Sequence, residues 1–323
     1  MNRLLALAAL LFAFPAHAEV TFDWVTVGDP GNACETQGGP FPGCFGTVAY
    51  TYQISKYETT NAQYAEFLNA VAATDTHNLY DTNMESGWGG ITRTGSSGNF
   101  SYSARAFRED RPVNFVSFWD AVRFANWLHN TQPTGAQDNS TTEDGAYTLT
   151  PTGIANNTIT RNAGATVFIT SEDEWYKAAY YETGSDTYFD YPSGSDTQTT
   201  CAAPGATANT ANCELAVSDP TDVGSYTGSA SPYGTFDQGG NVFEWNDIII
   251  QDSDRCVRGG TLLNNPGFLA ASVRVAYGPT IKNSLVGFRV ASSAHVVPAL
   301  GPIGLLVVAA GLLGFGAYRR GRA

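Results

Sequence analysis

Gly239-Gly240-Asn241-Val242-Phe243-Glu244-Trp245 decides how the rest of the chain is read. The paired glycines make a tight turn where backbones approach closely. An aromatic run holding one carboxylate follows, and then the strand-like Ile248–Ile250. Working outward, Arg255-Cys256-Val257-Arg258 alternates as a strand does and leads into a second pair, Gly259-Gly260-Thr261. Near the end stands Gly287-Phe288-Arg289-Val290-Ala291. Upstream, Val20–Val27, Val48–Tyr57 and Val167-Phe168-Ile169 predict strands.

Three helices are predicted, each by its start. Thr60 is an N-cap ahead of Tyr64, Phe67, Leu68 and Val71 at helical spacing. Ser117 with Asp120, and Thr170 or Ser171 with Glu174, have the capping-box arrangement. Their apolar faces carry Ala121, Phe124, Ala125 and Leu128, and Trp175, Ala178 and Ala179. Between them, 72–110 reads as a polar surface excursion, 130–165 as a loop or hairpin insertion, and 183–235 as loop with a short extended piece at Val223–Tyr226. Few helices, short strands and long loops give one irregular α+β domain with little regular secondary structure.

The ends carry a different kind of information. Met1-Asn2-Arg3, an apolar run to Phe14 and Ala16-His17-Ala18 read as a signal peptide over 1–18. Residues 19–47 are then an N-terminal extension, 48–292 the folded domain and 293–298 a linker. Residues 299–318 are uncharged and about 20 long, roughly 30 Å as a helix and enough to span a bilayer. The basic tail 319–323 is expected on the cytoplasmic side. The chain has 30 acidic and 17 basic residues. All the acids lie in the body, while Arg3, Arg319, Arg320 and Arg322 do not, which leaves the body near −17. Such a body is unsuited to nucleic acid. Among the 5 cysteines, Cys34 with Cys44 and Cys201 with Cys213 each close a short loop, as export permits. Cys256 is then left as a buried thiol.

Five blocks taken together resemble the formylglycine-generating enzyme, or sulfatase-modifying factor, family. They are Ile54-Ser55-Lys56-Tyr57-Glu58-Thr59-Thr60-Asn61-Ala62-Gln63-Tyr64; Val116-Ser117-Phe118-Trp119-Asp120-Ala121 with Asn126-Trp127-Leu128; Ser171-Glu172-Asp173-Glu174-Trp175; the opening stretch; and Arg258-Gly259-Gly260-Thr261 with Gly287-Phe288-Arg289-Val290. The resemblance implies a fold related to C-type lectin domains that often holds calcium. It also implies an oxidase precedent, in which a cysteine pair and copper convert a sulfatase cysteine to formylglycine with O₂. Copper(I) selects sulfur and the chemistry needs thiolates. In active members the pair follows the Arg-Gly-Gly stretch, but here residues 261–274 contain no cysteine. Copper is therefore not expected and no catalytic residue is assigned. Asn264, Asn265 and Arg274 are the candidate lining of a surviving groove. The tail resembles PEP-CTERM sorting signals, with Val297-Pro298-Ala299-Leu300 in place of the usual motif, and implies a sorting protease as partner.

Calcium is the expected cofactor. A carboxylate beside turn carbonyls suits a hard cation, and the resemblance places the ion at Asn241, Val242 and Glu244. Asp237 and Asp222 read as solvated loop carboxylates. His77 and His129 lack ligand spacing. Trp119, Trp127 and Trp175 read as core, and Trp88 as the best surface candidate for a sugar. The expected protein is an exported, surface-sorted binding or structural module with a peptide or carbohydrate ligand; the alternative is an enzyme with altered oxidation or peptide-modifying chemistry.

Overall fold

The computed structural model describes residues 19–38, 41–251 and 253–293. The segments expected to be a signal peptide, a membrane span and a basic tail lie outside them. Among the described residues no helix is long and apolar enough to cross a membrane.

Two four-stranded sheets organise the domain. The first runs in the order Trp24–Val27, Tyr52–Ser55, Val290–Ser292, Val167–Ile169, with antiparallel neighbours throughout. The second runs Val275–Tyr277, Asp254–Arg258, Phe243–Ile250, Val286–Gly287 and ends in a parallel pair. The predicted strand at 20–27 keeps only its second half, Trp24–Val27, and that at 48–57 its inner residues, Tyr52–Ser55. The N-terminal extension nevertheless supplies an edge strand of the first sheet.

The helices are α1 (Asn61–Val71), α2 (Phe118–His129), α3 (Pro151–Ala155) and α4 (Glu172–Tyr180). Each long helix begins at its predicted cap, and Thr60, Ser117 and Ser171 all form complete capping boxes. Tyr64 and Phe67 of α1 meet Phe124 of α2 at ring centroids of 5.9 and 5.3 Å, and Phe288 closes the group at 5.3 Å from Phe124. Phe288 thus anchors the end of the chain on both helices.

Three loop assignments are corrected. Residues 72–110 are no surface excursion. Asp81 caps a short 3-10 helix, Ile91–Thr94 pairs with Ser101–Ala104, and Leu79, Tyr80, Met84, Ile91 and Tyr102 are buried. These apolar residues stand singly among polar ones, so no period exposes them. The 130–165 insertion contains α3, started by Thr150 and Pro151. Val223–Tyr226 forms turns in place of the extended piece, and the Gly224 amide is bound by Asp237. Both expected disulfides are present, Cys34–Cys44 and Cys201–Cys213. They fit an extracytoplasmic protein. Each closes a loop of about ten residues, worth about 2–3 kcal/mol.

Candidate functional site

The Gly239-Gly240 turn delivers the strand Phe243–Ile250 with Glu244 pointing inward, and Gly287 lies opposite Glu244 in register. Gly240 has φ of 85° and its missing Cβ would meet the Asn212 carbonyl at 2.4 Å, so only glycine fits there. Two residues beyond Gly287, the fully buried Arg289 turns back onto Glu244. Its Nε and one terminal nitrogen donate to the two carboxylate oxygens at 2.5 and 2.7 Å. Its other hydrogen bonds go to the carbonyls of Ser55, Lys56 and Phe236. The Trp175 indole of α4 donates to Glu244 at 2.7 Å.

This centre is rich in acid. Glu58, 1% exposed, lies next to it and accepts one hydrogen bond, from Asn241 Nδ2 at 3.2 Å. Its Oε1 is buried with no partner. Burial, followed by the charges of Asp237 and Glu244, pushes the Glu58 carboxyl well above the usual range. Asp237 is partly buried, correcting its reading as a solvated carboxylate, and burial pushes it up to about 6. The Lys56 ammonium lies over the rings of Tyr57 and Phe236, 5.4 Å from each centroid. Asn241 is held by its neighbours, its Oδ1 accepting from the Thr221 amide at 3.0 Å and from Asn212. Among the described residues, no group of three or more His, Cys, Asp and Glu side chains is arranged to hold a metal ion.

One turn earlier on α4, a second centre has the opposite balance. Glu172 binds two guanidiniums, Arg258 at 2.7 Å through Oε1 and Arg274 through Oε2. Arg258 also donates to the carbonyls of Ala271 and Val273. Phe45, beside the Cys34–Cys44 bridge, lies 5.0 Å from each guanidinium, and Tyr176 is 4.8 Å from Arg258. Cys256 is sealed in the same place, with Sγ 3.4 Å from Glu172 Oε1. Burial, then the Glu172 charge, pushes the thiol up to about 12. Such a thiol is a weak nucleophile at neutral pH.

The candidate groove residues are not gathered into one site. Asn264 Oδ1 accepts from Thr261 Oγ1, Asn265 caps the 3-10 turn Pro266–Leu269, and Arg274 is spent on Glu172. The segment after Cys213 lies along this stretch, with the Glu214 amide on the Asn264 carbonyl and the Leu215 amide on the Leu262 carbonyl at 2.8 and 2.7 Å. A cleft of about 650 Å³ opens elsewhere, lined by Asp23, Tyr57, Glu66, Asp110 and Asp222 among others. Trp88 is half-buried and its indole donates to the Ser218 carbonyl at 2.9 Å. His77 faces Glu143 and His129 faces Thr166. Glu58 and Glu172 carry no local sequence signal of a role, because their partners Asn241, Arg258 and Arg274 lie far away in sequence.

The sulfatase-modifying factor enzyme 1-like domain matches residues 38–294. CarF is similar in structure at 20% identity, with a TM-score of 0.53 over 85% of this chain and 99% of its own. Treponema denticola variable protein 1 is similar at 18% identity, with a TM-score of 0.51 over 86% of this chain and 98% of its own. PvdO from Pseudomonas aeruginosa aligns at 19% identity and a TM-score of 0.48, over 84% of this chain and 92% of its own. At these identities the likeness to the first two speaks for fold alone. No curated protein matches the sequence.

Proposed function

The chain belongs to the sulfatase-modifying factor enzyme 1-like family, and from that premise we propose that it is an exported binding or structural module that does not perform cysteine oxidation. One observation carries the reading. Four of the five cysteines are joined in disulfides, and the fifth, Cys256, is buried between Glu172, Arg258 and Arg274 with its thiol pushed up. A soft copper ion has no accessible pair of thiolates to bind. The disulfides support export, and the sorting-type tail supports delivery to the envelope or beyond. The acidic cleft beside Tyr57 suits a cationic peptide or a hydroxyl-rich carbohydrate.

Calcium belongs to the same proposal. Glu244 is already paired with Arg289, but Glu58 Oε1 is a buried oxygen without a partner in an acid-rich centre. Asn241, Val242, Glu244 and Glu58 would hold the ion, which would supply positive charge and fix the turn. The test of function incubates the full chain with Cu(I), O₂ and a cysteine-containing sulfatase peptide. No aldehyde is expected by mass spectrometry or hydrazide capture. Aldehyde formed in proportion to enzyme would overturn the reading and favour the oxidising alternative.

A further inference from the structure

A narrow cavity of about 20 Å³ lies between the Cys201–Cys213 loop and the segment leading into the Gly-Gly turn. It is large enough for one water or one small ion. Asp237 is the carboxylate in its wall, and the rest of its polar lining is hydroxyls and the Gln238 amide.

The hydrogen bonds show which way those groups present themselves. Thr235 Oγ1 donates to Gln238 Oε1, so the proton between Ser231 and Thr235, 2.7 Å apart, comes from Ser231. Gln238 Nε2 is committed to the Trp175 carbonyl at 3.0 Å. Tyr226 donates to the Ala202 carbonyl and Thr210 to that of Thr207, each at 2.8 Å. Most of these protons are thus spent within the protein; the Thr199 hydroxyl and the second Gln238 N–H keep theirs, and lone pairs and a carboxylate make up the rest of what faces the cavity. Thr199 adds a hydroxyl oxygen that is buried without a partner, on a residue only 4% exposed.

The donors that remain would serve a water, so it is charge, not a lack of donors, that favours a cation. The charges of Asp237, Glu58 and Glu244 act on one another, and the Arg289 guanidinium is paired with Glu244, so a further positive charge is favoured here. We propose that this cavity binds a single dehydrated monovalent cation, an alkali ion or ammonium, held by Asp237 and the surrounding hydroxyl oxygens. The ion joins the disulfide loop to the Gly-Gly turn. None of its lining residues is among the proposed calcium donors.

The full chain, with divalent ions removed by chelator, is melted in chlorides of potassium, sodium, ammonium and N-methylglucamine at fixed ionic strength. At least one of the first three should raise the melting temperature by roughly 2–4 °C over N-methylglucamine. Crystals soaked in rubidium should show an anomalous peak at Asp237. Asp237→Asn should abolish the difference between salts; Asp237 has φ of 59°, a conformation asparagine tolerates. Thr199→Val, which preserves the charge, should raise the half-saturating concentration severalfold. Equal melting in all four salts, a cavity holding only water, or an Asp237→Asn protein that keeps the salt effect would each overturn the proposal.

Discussion

The two buried centres on α4 are built from the same pair of residue types in opposite proportion. At Trp175, Arg289 serves Glu244 while Glu58 and Asp237 add negative charge. At Glu172, one carboxylate serves Arg258 and Arg274, and aromatic faces take up what it leaves. Arg258 and Glu244 are cross-strand partners in register, yet each turns to a different partner. The difference teaches how a small domain keeps buried charge. An excess of guanidinium can be spread over carbonyls and π faces. Excess carboxylate finds neutral N–H donors in Trp175, Asn241 and the Gly224 amide, and beyond these it takes up protons or cations.

The comparison is broken most severely at Arg289. Arg289→Met should cost about 3–5 kcal/mol in urea unfolding, because Glu244 is left buried beside two further acids. A smaller loss would mean that the acidic centre is neutralised chiefly by something other than the guanidinium. At the other centre, Glu172→Gln should cost about 3 kcal/mol. It also leaves two cations next to Cys256, so native-state alkylation at neutral pH should speed up. An unchanged alkylation rate would show that burial alone protects the thiol.

The smallest effect is the most diagnostic. The folded-state carboxyl of Asp237 titrates near 6, above its ordinary value of 3.8. Between those values the native protein binds more protons than the unfolded chain, so this contribution is full at low pH and is lost as pH rises through about 6. With N-methylglucamine as the only cation, stability relative to Asp237→Asn should fall from pH 5 to 7 by about 1–2 kcal/mol, allowing for partial exposure. A flat difference would remove Asp237 from the acidic excess.

Much of the fold was legible because its signals are local. A cap and its box partner stand three residues apart, and each disulfide joins cysteines 10 or 12 residues apart. The centres were only half legible. Glu244 could be singled out within its own stretch, but Arg289 is 45 residues away and Arg274 is 102 residues from Glu172. The family resemblance alone places Arg274 at a groove, and nothing near it in sequence points to Glu172. Asp237 looked like any loop carboxylate, since its burial is imposed by segments that no periodicity links to it.

The strand Val290–Ser292 is inserted between Tyr52–Ser55 and Val167–Ile169. The middle of the first sheet is thus its last strand to be synthesised. Until it arrives, two earlier strands have open edges and Glu244 has no Arg289. The domain therefore cannot finish folding from its N-terminal side while synthesis continues. That delay is compatible with the proposed export. It also makes truncation before residue 286 a failure of the whole sheet, well beyond the loss of an end.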